Sequence, residues 1–157
     1  MRFLITGVPG LGKTTVGNHL ENKYSFKHID FEIEDGKYLK EFQFDIGNFL
    51  SKLKLYPNVV ITWGFPPNEE GITDVLYIKN ELNFKLFWFD CNDRADALKH
   101  FLERDRNPNR KQEFYAQVKT IDESKVIERI NPIQINPLEE NGDFKGLDRL
   151  THELTSA

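Results

Sequence analysis

A glycine-rich segment near the amino terminus limits the possible folds of this chain more than any other part of the sequence. It reads Gly7-Val8-Pro9-Gly10-Leu11-Gly12-Lys13-Thr14 and matches the pattern G-x-x-x-x-G-K-[ST] at every specified position. Glycines let successive backbone N–H groups converge on phosphate oxygens, and a helix beginning at Lys13 would point its positive N-terminus at them. An apolar run at residues 3–6 precedes the segment as a strand. The sequence therefore predicts a P-loop that binds a nucleoside triphosphate.

The same segment assigns individual roles. We expect the Lys13 ammonium to neutralise the β- and γ-phosphates and the Thr14 hydroxyl to ligate Mg²⁺. ATP and Mg²⁺ are the predicted cofactors. The residues predicted to contact the nucleotide here are Gly7, Pro9, Gly10, Leu11, Gly12, Lys13, Thr14 and Thr15.

Composition and charge limit the class of protein and the partners that we expect. The 157 residues are 39% hydrophobic and 29% charged, which is typical of a folded globular protein, and we expect one domain over residues 1–157. A net charge of −4 gives no reason to expect binding to nucleic acid or an anionic membrane. A single cysteine excludes an intrachain disulfide, and no apolar run approaches the roughly 18 residues of a membrane span. We expect a cytoplasmic protein and leave its oligomeric state open.

Strand and helix patterns alternate along the chain. This alternation predicts an α/β fold: a three-layer α/β/α sandwich around a parallel five-stranded sheet. The predicted strands cover residues 3–6, 26–30, 59–63, 86–90 and 133–135. The predicted helices cover residues 13–23, 37–56 with a break near Gly47, 73–81, 94–106 with Asp93 as cap, 113–130 and 147–154.

Acidic residues directly follow the second predicted strand. In a parallel sheet this position lies at the carboxyl edge, beside the phosphate loop. Asp30 is the candidate that holds the water shell of Mg²⁺, and Glu32 is the candidate that orients or deprotonates an acceptor hydroxyl. The alternative is that both are solvated loop acids.

With Asp30-x-Glu32 in this position, the chain resembles P-loop small-molecule kinases, especially the shikimate kinase and gluconate kinase group. That resemblance implies that the first acid works with Mg²⁺ and the second contacts the acceptor. Gly64-Phe65-Pro66 is similar to a G-F-P motif of adenylate kinases. Trp63 and Pro67 stand where those enzymes carry Asp and Arg, which argues against adenylate kinase activity.

The resemblance also implies a mobile lid at about residues 104–113. Arg104, Arg106 and Arg110 cluster there, and we expect at least one to reach the phosphates, with Arg104 and Arg110 ahead of Arg106. Surface pairing with Glu103 and Asp105 is the alternative. In related kinases the loop after the last strand packs on the adenine, which makes Asn136 and Pro137 candidate base contacts.

The acceptor is a small molecule in this interpretation. Residues 31–68 contain no arginine, which argues against a phosphate- or carboxylate-bearing acceptor unless Lys37, Lys40 or a lid arginine takes its place. Trp63 is a candidate for stacking on a ring. The leading prediction is an ATP-dependent kinase acting on a hydroxyl of a nucleoside, nucleotide or sugar-like compound. The alternatives are a polynucleotide 5′-hydroxyl kinase and an ATPase or switch without acceptor. The four histidines show no metal-ligand spacing, and we assign them no role.

Overall fold

The computed structural model describes residues 1–157 and contains one sheet of five parallel strands with helices on both sides. This confirms the predicted three-layer α/β/α sandwich. The strands are β1 (Arg2–Gly7), β2 (Lys27–Asp30), β3 (Val59–Thr62), β4 (Lys85–Phe89) and β5 (Ile133–Ile135). All of β3 and nearly all of β1 are buried on both faces, which explains their continuous apolar sequences.

Eight α-helices connect or flank the strands. They are α1 (Lys13–Tyr24), α2 (Lys37–Phe44), α3 (Ile46–Leu53), α4 (Glu69–Asn80), α5 (Arg94–Asp105), α6 (Lys111–Ser124), α7 (Val126–Ile130) and α8 (Leu147–Ser156). Short 3₁₀ turns at Glu34–Gly36 and Pro108–Arg110 precede α2 and α6. None of the helices combines the length and the apolar character needed to cross a membrane.

Two of the predicted helices are each divided into two, and only the division near Gly47 was indicated by the sequence. The helix predicted over residues 37–56 divides at Asp45, whose side chain accepts a hydrogen bond from Asn48 N and starts α3. The break predicted near Gly47 is confirmed two residues earlier, at Asp45, and Gly47 itself lies inside α3. The helix predicted over residues 113–130 divides at Lys125, which adopts φ 51°. Asn68 caps α4 through Gly71 N, so α4 begins four residues before the predicted start at Thr73.

The strand order places the carboxyl end of β1 at the centre of the sheet. The order is β2-β3-β1-β4-β5, so the chain leaves β1 toward one side and leaves β4 toward the other. Ligands of α/β proteins bind at the carboxyl edge, where the direction of the connections reverses. The loop after β1, which is the glycine-rich segment, lies at this position.

Candidate functional site

The loop between β1 and α1 presents unpaired backbone N–H groups. No backbone N–H from Gly10 to Thr15 donates a hydrogen bond within the chain, and the first turn of α1 contains no acidic residue. Gly12 caps the helix in the left-handed region, with φ 77°. Free N–H groups and the positive end of a helix dipole together attract an anion. The loop therefore has the open N–H groups and the positive potential that an anion site needs.

The loop is held against β4 by close backbone contact at Gly7. Val8 N donates to Phe89 O over 2.9 Å, and Gly7 adopts φ 131°. A Cβ at Gly7 would lie 2.2 Å from Phe89 O. Only glycine fits this position, which explains why the loop can turn directly out of β1.

Lys13 folds back over this loop and is buried. Its Nζ donates to Val8 O over 3.0 Å and to Gly7 O over 3.3 Å. Burial lowers the pKa of Lys13 to about 8; the charge of Arg104 acts in the same direction, whereas Glu32 and Asp30 raise it. Burial destabilises the charged form of Lys13, whose only partners are two carbonyl oxygens. A bound anion would therefore stabilise the ammonium strongly.

Thr14 and Asp30 meet at the end of the loop. Thr14 Oγ1 donates to Asp30 Oδ2 over 3.0 Å, and Asp30 Oδ1 accepts from Glu32 N over 2.8 Å. The side chains predicted to hold Mg²⁺ are therefore in direct contact, and both present oxygen, the donor atom that Mg²⁺ prefers.

The Glu32 carboxylate is exposed and forms no hydrogen bond or ion pair within the chain. Its Oε1 lies 2.9 Å from the place that a Cβ at Gly64 would occupy, so it rests on the backbone that follows β3. Its charge is the largest electrostatic contribution that raises the pKa of Lys13. Asp30, Glu32 and Lys13 thus belong to one electrostatic cluster.

A buried histidine on β2 links the elements next to this cluster. His28 lies on β2 two residues before Asp30, and its ring nitrogens contact Asn18 Oδ1 and Thr62 Oγ1, each over 2.8 Å. Burial lowers the pKa of His28, which favours the neutral ring. The contacts join α1, β2 and β3, and so give His28 a structural role that the sequence did not indicate.

The predicted lid arginines occupy different environments. The charge of Arg104 acts on Lys13, and its guanidinium carbon lies 5.3 Å from the Phe101 ring centre. Arg110 pairs with Asp105 and with Glu113, and lies 4.6 Å above the same ring. Arg106 is exposed and ends α5 in a left-handed conformation. Of these three arginines, only Arg104 is among the charges that shift the pKa of Lys13.

The loop after β5 reaches the phosphate loop through a residue that the sequence analysis missed. Asn136 accepts from Leu138 N and Pro137 is buried, so both shape the loop itself. Phe144 lies over the phosphate loop, with a ring carbon 3.2 Å from the Cβ position of Gly12.

His100 on α5 supports this phenylalanine. The two rings are 4.2 Å apart with an interplanar angle of 36°, and His100 Nε2 donates to Gly142 O over 2.7 Å. His100 and Phe144 are far apart in the sequence, so no local sequence pattern could have predicted their contact.

The aromatic side chains at the ends of β2 and β3 belong to the core. Trp63 is 3% exposed and packs edge-on against Phe31 and beside Phe65. Neither face of the Trp63 ring is open to a ligand, and the hypothesis that it stacks on a substrate is wrong for this conformation.

Comparison with solved structures finds this fold in small-molecule kinases. Shikimate kinase from Bacteroides thetaiotaomicron matches with a TM-score of 0.61 and 18% identity, over 99% of this chain and 98% of that one. Shikimate kinase from Acinetobacter baumannii in complex with shikimate matches with a TM-score of 0.60 and 17% identity, over 99% and 93% of the two chains. A gluconokinase from Sinorhizobium meliloti matches with a TM-score of 0.55 and 13% identity, over 99% and 95%.

The sequence comparisons add no closer relative. No family model and no curated protein matches the sequence. At identities of 13% to 18%, the structural matches establish a common fold. The resemblance to P-loop kinases of the shikimate kinase and gluconate kinase group is confirmed at that level.

Proposed function

We propose that this chain, which has the fold of shikimate kinase and gluconokinase structures, is an ATP- and Mg²⁺-dependent phosphotransferase acting on a hydroxyl of a small molecule. One observation carries the proposal. The unpaired N–H groups of the phosphate loop, the buried Lys13 ammonium and the free Glu32 carboxylate lie together at the carboxyl edge of the sheet. An anion site beside an unpaired base is what transfer from a triphosphate to a hydroxyl requires.

In the proposed reaction the acceptor hydroxyl oxygen attacks the γ-phosphorus of ATP. A new P–O bond forms while the bond to the β–γ bridging oxygen breaks, and its electron pair leaves with ADP. The Glu32 carboxylate accepts the hydroxyl proton. Lys13 neutralises phosphate charge, and the backbone N–H groups orient the triphosphate.

Thr14 and Asp30 are proposed to hold Mg²⁺, with the Thr14 hydroxyl as a ligand and Asp30 bound through water. Their direct contact of 3.0 Å and their oxygen chemistry support this assignment. When bound, Mg²⁺ neutralises charge on the β- and γ-phosphates. Asp30 also anchors Glu32 N, so it orients the segment that carries the proposed base.

The lid and the loop after β5 complete the proposed site. Arg104 would add positive charge near the γ-phosphate, and Arg110 would do so only after leaving Asp105 and Glu113. Phe144 is 42% exposed above Gly12, which makes it our candidate for contact with the nucleobase.

The test is ADP release from ATP and Mg²⁺, measured without acceptor and then with pools of nucleosides, nucleotides, sugars, polyols and 5′-hydroxyl oligonucleotides. Asp30→Asn should lower acceptor-dependent release at least about a hundredfold, because it removes the negative charge proposed to hold the Mg²⁺ that neutralises the phosphates. Asp148→Asn is the matched control, since Asp148 contacts His19 and Tyr24 toward the far end of α1.

Each result separates the candidate functions. Release stimulated by one small-molecule pool and lost in Asp30→Asn would support the proposal. Stimulation by oligonucleotides alone would favour a polynucleotide kinase. Release that no acceptor stimulates would contradict the proposal and favour an ATPase or switch.

A further inference from the structure

Helix α5 packs directly on the phosphate loop. Gly10 adopts φ 84°, and a Cβ there would lie 2.6 Å from Ala97 O and 2.8 Å from Phe101 N. No side chain fits between the loop and the helix at this point, so the two are held at a fixed distance. The segment of α5 from residue 97 to residue 101 is therefore a rigid reference for the position of the phosphate loop.

A β-hairpin that follows β5 reaches the same loop. Leu138 and Phe144 form the antiparallel bridge of this hairpin, and Glu139 N donates to Asp143 O over 2.7 Å inside it. Phe144 brings a ring carbon within 3.2 Å of the Cβ position at Gly12. The hairpin is thus a short, internally bonded unit that carries one aromatic ring onto the phosphate loop.

His100 joins α5 to this hairpin by two contacts of different kinds. Its Nε2 donates to Gly142 O over 2.7 Å, and this nitrogen carries the proton because a carbonyl oxygen can only accept. The same ring lies 4.2 Å from the Phe144 ring, with an interplanar angle of 36°. Nδ1 faces Glu103 Oε2 at 3.8 Å, which is beyond hydrogen-bond distance. The two contacts fix the turn of the hairpin and the ring that covers Gly12.

Gly142 lets the turn of the hairpin approach α5 this closely. It adopts φ 87°, and a Cβ there would lie 2.7 Å from Asp96 Oδ1. Asp96 lies one helical turn before His100, so the hairpin contacts two successive turns of α5. Packing therefore sets the position of Gly142 O, the acceptor that His100 uses.

From these contacts we infer that His100 is a positioning residue for the nucleobase, which acts through Phe144 and the Gly142 carbonyl. The inference rests on the proposed function and specifies how its nucleotide site is held. Only a ribose separates a nucleobase from its α-phosphate, so a base bound beside the phosphate loop lies near the ring above Gly12. The His100 side chain is 12% exposed, and it orients this ring without contacting the base. A ring that is already held loses little conformational freedom when a base packs on it, which favours binding.

Calorimetry with ATP and with inorganic tripolyphosphate, each with Mg²⁺, tests this role. Tripolyphosphate has the phosphates but no base, so its Kd reports on the phosphate loop alone. His100→Ala should raise the Kd for ATP about three- to fivefold and leave the Kd for tripolyphosphate within about twofold of the wild-type value. His100→Gln keeps a donor for Gly142 O but lacks the ring, so it should lose affinity for ATP alone, and by less than His100→Ala.

A double variant separates positioning from a general loss of packing. If His100 acts through Phe144, His100→Ala combined with Phe144→Ala should bind ATP no more weakly than Phe144→Ala alone, because coupled residues do not have additive effects. His152→Ala is the matched control, since it removes an exposed histidine of α8 whose ring contacts Ser156. This control should bind both ligands as the wild type does. Thermal unfolding of each variant shows whether the fold is retained.

The outcomes distinguish this inference from the proposed function. An unchanged Kd for ATP in both His100 variants, an equal loss of affinity for tripolyphosphate, or fully additive losses in the double variant would overturn the inference and leave nucleotide binding intact. A wild-type protein that binds neither ATP nor tripolyphosphate would overturn the proposed function and this inference with it.

Discussion

Raising the pH should weaken nucleotide binding by deprotonating Lys13. Burial lowers the pKa of this side chain to about 8 in the free protein. Bound phosphates would place negative charge beside Nζ and return the pKa toward its ordinary value of 10.5. At pH 9 about one in ten free molecules carries the charged lysine, so binding requires proton uptake. The apparent Kd for ATP should rise about tenfold between pH 7 and pH 9, which corresponds to about 1.4 kcal/mol.

Titration calorimetry at constant Mg²⁺ measures both parts of this prediction. Kd is determined at pH 7, 8 and 9, and the heat is compared in two buffers with different ionisation enthalpies. Uptake should approach one proton per nucleotide at pH 9 and fall near zero at pH 7. The terminal phosphate does not contribute, because its second pKa is about 6 and it is ionised throughout this range.

Lys13→Arg provides the control for this titration. A guanidinium remains charged at pH 9, so the variant should bind more weakly but without the pH dependence. A wild-type Kd that is constant from pH 7 to pH 9, with no proton uptake, would refute the argument that burial destabilises the charged form of Lys13.

Three further predictions concern single side chains. Gly7→Ala should lower the free energy of unfolding by about 3 kcal/mol or more in urea denaturation, because a Cβ would lie 2.2 Å from Phe89 O and φ is 131°. Lys13→Met should raise that free energy by about 2–3 kcal/mol at pH 7, since it removes a buried charge. The folded pKa of Lys13 lies below the unfolded one, so this gain should decline as pH rises from 8 toward 10.5. Phe144→Ala should raise the Kd for ATP about three- to tenfold by calorimetry, because its ring is the one beside Gly12.

Matched variants make these predictions decisive. Gly47→Ala lies in α3 with open space around the new Cβ and should be neutral or slightly stabilising. Phe44→Ala removes an equally large but 83% exposed ring and should leave nucleotide binding unchanged. Equal losses of stability in Gly7→Ala and Gly47→Ala would contradict the argument about close contact at Gly7. A Lys13→Met variant that is less stable than the wild type would contradict the argument about buried charge. Equal ATP affinity in Phe144→Ala and Phe44→Ala would contradict the role given to Phe144.

The sequence by itself determined the fold class and the location of the phosphate loop. Both depend on local patterns: glycines at fixed spacing before a helix start, and short apolar runs that alternate with helical periodicity. Asp30 and Glu32 could also be nominated from sequence, because the end of a parallel strand must lie at the ligand edge. The helix boundaries at Asn68 and Asp45 were harder to predict from sequence. A capping hydrogen bond fixes each of them, and the apolar periodicity does not mark its position.

Only the tertiary structure decided which side chains meet. Phe144 reaches Gly12, His28 joins three elements beneath Asp30, and Arg129 is held by Glu69, which lies 60 residues away in the chain. Each contact joins elements that are distant in sequence, and its geometry depends on how the helices pack on the sheet. The burial of Trp63 is also a packing result, since a strand-end aromatic can face either core or solvent. Local patterns specify elements, whereas the charge and shape of a site come from the three-dimensional arrangement of those elements.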